Sequence, residues 1–357
     1  MGNWKGGYYL VDYFSKKKII VSYILSLLVV LIHISSFSNY VGVDYGNLPL
    51  GLKQLQIFLQ CVITPFAVPL FFIISGVLFF KGYTNQNYVD KLKRRIKTLF
   101  IPYILWNILG TIFAVVASLL LKNYFIGRIP FDLSMKSILG GIFHYKYNCV
   151  FWFVFALIIF EIFAPILNLL LYNKAVGVIS ISVIIILCQH NIGLPVPLFC
   201  YRSCIAFFLL GGMYGKFYFD DFVASRRRSS LFIYALGLIG AIFYEELIFN
   251  EIISKVEMID IIVRMVYAIS FWRFSDLFVS RIPIKECMKH TFWIYALHLN
   301  IQSCISKMLW LIFPKNNAFI LFNFILTVLI TLITVELIYK FTDKFMPKVN
   351  RLLSGGR

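Results

Sequence analysis

The chain has 357 residues, of which 60 % are apolar, 18 % aromatic and only 14 % charged. Soluble domains carry about 45–50 % apolar and about 25 % charged residues, so this balance excludes an ordinary soluble globular protein, and it excludes disorder. The net charge of +18 would suggest nucleic acid in a soluble protein, but in so apolar a chain it marks loop positions relative to a membrane, and no nucleic-acid partner is expected.

At about 20 residues per crossing, the apolar content supplies roughly ten helical spans. Solid apolar runs, not alternation, exclude a transmembrane barrel. Residues 1–18 are polar, aromatic and basic and end in Lys16, Lys17 and Lys18. The run after them is too long for a signal h-region and reads as a retained first span. In chain order the predicted spans are 19–38, 57–80, 98–121, 150–171, 175–190, 200–219, 231–250, 258–279, 291–313 and 318–340. The loop 122–149 is the longest, and within it 138–143 predicts a short interfacial helix. Of the 34 Lys and Arg residues, 23 fall on the side of the N-terminus and 8 on the other, with Arg202, Arg264 and Arg273 within or at the edge of spans. That asymmetry predicts an all-α polytopic protein of about ten spans with both termini cytoplasmic. The expected organisation is a cytoplasmic segment 1–18, a transmembrane domain 19–340 and a basic cytoplasmic tail 341–357. The seven cysteines show no CxxC pair and no metal-ligand spacing, so no metal is expected.

Titratable groups inside lipid are costly and usually face the bundle interior. Here they include His33, Glu161, Arg202, Arg264, Arg273, Asp276, His298 and Glu336. Arg264 and Arg273 lie nine residues apart, about 2.5 turns, and so serve different partners from opposite faces. His33 lies about 14 residues into the first span, about 21 Å of helix rise. It fits a general base, which accepts a hydroxyl proton near neutral pH, a proton relay, or a structural hydrogen bond. The run Lys91, Lys93, Arg94, Arg95 and Lys97 reads either as a cytoplasmic anchor or as a phosphate clamp for a nucleotide-bearing acyl donor. Gly211 and Gly215 form a small-xxx-small pair that predicts a close helix crossing, and Ser75–Gly76 and Pro102 read as packing or kink devices. Trp152 fits an aromatic belt.

Five strings are more informative than composition: PLFFIISGVLFF (69–80), LKRRIKTLFIPYILW (92–106), FWFVFALIIFEIFAPIL (151–167), FFLLGGMYGK (207–216) and TFWIYALH (291–298). In this order they resemble the membrane-bound acyltransferase 3 family over residues 19 to 340. The resemblance implies ten spans in a bacterial cytoplasmic membrane. It also implies transfer of an acyl group, acetyl first, from acetyl-CoA to a hydroxyl of a surface polysaccharide or a lipid-linked sugar. His33 matches the family's catalytic histidine late in the first span. Arg94-x-x-Lys97 before Pro102 matches its basic pair, so Arg94, Arg95 and Lys97 are the implied acyl-CoA contacts. Trp152 and His298 match as well, and with Arg264 and Arg273 they are candidate oxyanion or acceptor contacts. Two positions depart from the pattern. Ser22 stands where the family has arginine, and Val150 where many members have histidine. Lys16–Lys18, Arg264 or Arg273 are the cations available to replace the arginine. Two other readings stand beside acyl transfer: a transporter or glycan exporter with an intramembrane proton relay, and an inactive partner of a glycan assembly complex.

Overall fold

The computed structural model describes residues 3–34, 49–120, 134–190, 202–223, 230–313 and 317–356. Among the described residues the chain is all-helical and contains no strand. The helices are Asn3–His33 (α1), Leu50–Ile57 (α2), Ala67–Phe80 (α3), Tyr88–Arg95 (α4), Ile101–Leu120 (α5), Met135–Phe143 (α6), Trp152–Ile162 (α7), Ala164–Leu170 (α8) and Lys174–Gln189 (α9). They continue with Arg202–Phe217 (α10), Phe219–Val223 (α11), Ser230–Phe249 (α12), Glu257–Phe274 (α13), Asp276–Val279 (α14), Thr291–Ile312 (α15), Asn317–Phe345 (α16) and Pro347–Leu353 (α17).

Each predicted span is mostly helical where it is described, with breaks at 63–66, 163, 218 and 275, and residues 35–38, 121 and 200–201 lie outside the described residues. Among the described residues, four helical stretches are long and apolar enough to cross a membrane: Leu50–Phe80, Tyr88–Val116, Leu231–Phe249 and Phe319–Phe345. The pair α7 and α8, interrupted at Phe163, makes a fifth if counted as one span. The others fall short for physical reasons. Helices α9 and α10 have 16 residues each, below the roughly 20 that a crossing needs. Helices α13 and α15 are long enough but carry buried polar and charged side chains, Asp260, Arg273, His298 and Gln302 among them. A short helix is present at the position expected, 138–143, as α6, capped by Ser134, whose side chain accepts from the Ser137 N–H.

The chain divides into two compact units. The first comprises Met1–Thr84 and Pro165–Leu337. At its centre α3 packs on α10. Helix α3 is apolar on all sides and buried at most positions, as a helix enclosed by its neighbours must be. The α3–α10 crossing is a backbone contact. A Cβ on Gly76 would meet the Phe208 carbonyl oxygen, one on Gly211 the Ile73 carbonyl oxygen, and one on Gly215 the Val77 carbonyl oxygen. The small-xxx-small pair and Gly76 thus act as the sequence predicts. Helix α1 runs beside α3 and α15. Its N-terminal half is fixed by Lys17, which is fully buried and pairs with Asp276 at 2.5 Å. The Tyr13 hydroxyl donates to the same carboxylate at 2.7 Å, and the Lys17 ammonium lies 4.3 Å from the Trp272 ring centre.

The second unit comprises Asn85–Ala164 and Ile338–Arg357. Helix α4 leads through a π-helical turn, Ile96–Phe100, into α5. The C-terminal helix α17 docks on α5: the Trp106 indole N–H donates to the Leu353 carbonyl at 3.0 Å. Beyond α17, Gly355 has φ +66 and lies against the Thr98 carbonyl, a conformation and an approach that glycine alone tolerates.

Candidate functional site

The histidine expected to carry chemistry ends α1. The last carbonyls of a helix have no intrahelical partner, and here a side chain supplies one. The Gln60 amide donates to the carbonyls of Leu31 and Ile34, at 2.9 and 2.5 Å. Gln60 belongs to the π-helical turn Phe58–Val62, a distortion frequent at functional sites. It is held in turn by Gln56, whose amide donates to its side-chain oxygen at 2.8 Å. The end of α1, and with it His33, is therefore clamped from α2.

His298, on α15, lies beside His33, their ring centres 5.3 Å apart. The two histidines come from distant parts of the sequence because α1 packs along α15. His298 is fully buried. Its Nδ1 faces two backbone carbonyls, Ile294 at 3.0 Å and Tyr295 at 2.8 Å. Carbonyls only accept, so Nδ1 carries the proton and Nε2 presents a lone pair. That Nε2 is buried and has no hydrogen-bond partner among the described residues. His33, by contrast, is partly accessible. The arrangement is an accessible imidazole next to a sequestered one of fixed tautomer.

One turn beyond His298 on α15 is Gln302, 1 % exposed. Both its amide nitrogen and its amide oxygen lack partners among the described residues. Further along, Ser306 donates to the Asn323 side-chain oxygen at 3.2 Å, as does Thr327. These last groups satisfy one another, whereas Gln302 is left with a free donor and acceptor close to the histidine pair. Gln60 and Gln302 are not among the span residues expected to carry chemistry; their signal in the sequence is an uncharged amide inside an apolar run.

The two arginines of α13 part as their spacing predicts. Arg264 is divided between two buried carboxylates, Glu245 at 3.3 Å and Asp260 at 3.2 Å, and Lys255 joins Asp260 at 3.2 Å. Arg273 lies in the last turn, with the Tyr234 ring 5.9 Å away. Glu336 pairs with His290 at 2.9 Å. None of the described His, Cys, Asp and Glu residues form a group of three or more that would hold a metal ion.

Arg94, Arg95, Lys97 and Trp152 belong to the second unit. Arg94 and Lys97 are exposed, and the Arg94 Nε donates to the Asp90 carbonyl at 3.3 Å. Arg95 is different, because its Nε meets Glu161 at 3.1 Å, and that carboxylate is 1 % exposed. Trp152 is half-buried at the start of α7. Removing one partner of a buried pair strands a charge, at about 3–5 kcal/mol, whereas apolar replacement of both is often neutral. Arg95→Met is therefore expected to lower the melting temperature in detergent sharply, and Arg95→Met with Glu161→Leu to recover most of the loss. A double variant no more stable than Arg95→Met would show that the pair does not hold this unit together.

Residues 23–339 match the family model described as an acyltransferase domain, nearly the whole chain. The chain belongs to the acyltransferase 3 family. The matched range includes His33, the α3–α10 crossing and His298, and with its apolar helices the acyltransferase is a membrane protein. No curated protein and no solved structure matches the chain significantly.

Proposed function

We propose that this acyltransferase moves an acetyl group from acetyl-CoA to a hydroxyl of a cell-surface or lipid-linked glycan. It would do so from a bacterial cytoplasmic membrane, with ten spans and both termini in the cytoplasm. The observation that carries the reading is the His33–His298 pair within an apolar bundle. His33 removes the proton of the acceptor hydroxyl. The oxygen attacks the thioester carbonyl, the tetrahedral intermediate collapses with cleavage of the C–S bond, and the imidazolium returns its proton to the departing thiolate. A base of this kind contributes about 10²–10⁴-fold. His298 keeps one tautomer and supports His33 as a neutral neighbour. The oxyanion needs a donor whose hydrogen bond strengthens as charge develops. Gln302, with an unengaged amide one turn from His298, fits that role better than Arg264, whose guanidinium already serves Glu245 and Asp260. The basic run with Arg94, Arg95 and Lys97 is the expected surface for the donor's phosphates, Arg94 and Lys97 being the exposed members.

The test is a labelled acetyl-CoA assay on membranes that contain the protein, with host glycans as acceptors. Label is expected in glycan with the intact protein and not with an equally abundant His33→Ala variant. Retained transfer in that variant removes His33 from the mechanism. No transfer by the intact protein, together with proton-coupled uptake independent of acyl-CoA, replaces the enzyme with the transporter.

A further inference from the structure

Arg273 is a buried cation that acyl transfer at the histidine pair leaves unused. Its side chain sits at the end of α13, 6 % exposed. Both Nε and Nη1 are buried with no hydrogen-bond partner among the described residues, and no carboxylate among those residues forms an ion pair with it. Nε and Nη1 lie on different edges of the guanidinium, so a single missing carbonyl does not account for both. Two other features soften the charge without neutralising it. The C-terminal end of α13 offers about half an elementary negative charge, yet none of its carbonyls receives these two N–H groups. The Tyr234 ring at 5.9 Å is near the roughly 6 Å limit of a cation–π contact.

The surroundings add positive charge. Lys17 on α1 and Tyr214 on α10 lie within electrostatic range of the guanidinium. Lys17 is fully buried and shares Asp276 with Tyr13. Asp221 also faces Tyr214, but it is exposed. The buried cluster thus holds two cations, Lys17 and Arg273, against the carboxylate of Asp276. A buried guanidinium left without an acceptor costs several kcal/mol, and a bound anion removes that cost. The unengaged N–H groups of Arg273 lie on separate edges of α13's guanidinium, Lys17 on α1, which already donates to Asp276 and to the Val223 carbonyl, adds its charge, and Tyr214 on α10 and Tyr234 on α12 stand nearby. That spread suits the tetrahedral oxygens of a phosphoryl group better than a planar carboxylate, which takes a single fork.

We propose that Arg273, with Lys17, forms a buried anion site for a phosphoryl group. If the group is the acyl donor's, Arg273 and not the exposed Arg94 and Lys97 holds that phosphate, an assignment that rests on the acetyl-CoA reading; the site itself does not. The test is binding to purified protein in detergent, with coenzyme A, pantetheine, inorganic phosphate and phosphatidylglycerol as probes. Coenzyme A is expected to bind Arg273→Gln at least tenfold more weakly than the intact protein, with Arg273→Lys intermediate, while pantetheine, which lacks phosphate, does not distinguish them. If coenzyme A is indifferent to the substitution but inorganic phosphate or phosphatidylglycerol stabilises only the intact protein, the site stands with that occupant and the donor's phosphate is excluded. If Arg273→Gln fails to fold, the intact protein decides: thermal stabilisation by phosphate over chloride at equal ionic strength supports the site. Its absence, with no dependence of any phosphate probe on Arg273, overturns the proposal. An outcome in which coenzyme A binds as expected but no acyl group is transferred leaves this site standing and overturns the catalytic reading instead.

Discussion

Replacing both His33 and His298 with alanine is expected to lower acyl transfer by no more than His33→Ala alone, a loss of about 10²–10⁴-fold. The expectation follows from the geometry of the pair. The rings lie 5.3 Å apart, and His298 is fully buried with its Nδ1 proton committed to two carbonyls of its own helix. In the proposed mechanism His298 therefore acts on the acceptor only through His33. Residues that act as a unit give non-additive losses, because once the first is gone the second has nothing left to assist. His298→Ala alone is expected to lose less than His33→Ala and to change kcat more than KM. Rates of labelled transfer for the three variants, normalised to folded protein, decide the point. Losses that multiply would show two independent functions for the histidines and break the proposed division of labour.

The apolar skeleton was legible because length and composition alone report a crossing helix. The α3–α10 contact was legible because glycine four residues from glycine has few other uses in a membrane helix. The partners of the polar groups were not legible. Lys17 reads as the end of a basic cytoplasmic segment, yet the bundle buries it against Asp276, 259 residues away. Asp276 in turn reads as a span residue but lies in α14, after the break at Ser275. Arg95 reads as one cation in a run, and only the packing of α4 and its π-helical turn on α7 gives it Glu161. In each case periodicity identifies the helix but not the neighbour across it, and the chemistry depends on that neighbour. The same holds for Gln60. A glutamine in an apolar run looks like a local blemish until the unsatisfied carbonyls at the end of α1 supply its reason.

Gly211→Val is expected to prevent recovery of monodisperse folded protein, whereas Gly240→Ala leaves stability unchanged or raises it by about 0.5–1 kcal/mol. Both glycines are helical, so propensity alone favours substitution at each. Their surroundings separate them. A Cβ on Gly211 would meet the Ile73 carbonyl oxygen, with the Ile73 carbonyl carbon and Cα close behind, while one on Gly240 meets nothing within 4 Å. A clashing side chain can change rotamer, but a carbonyl in the middle of α3 moves only with its helix. Ordinary overpacking costs about 1–3 kcal/mol, and separating α3 from α10 exceeds that, because close backbone approach is what holds helices together where lipid removes the hydrophobic drive. The consequence reaches the proposed catalytic histidine, since α1, which carries His33, packs on α3. Size-exclusion profiles and melting temperatures in detergent provide the check. A Gly211→Val protein that melts like the parent would mean that the two helices tolerate a gap, and that the bundle holding His33 is set by contacts other than this crossing.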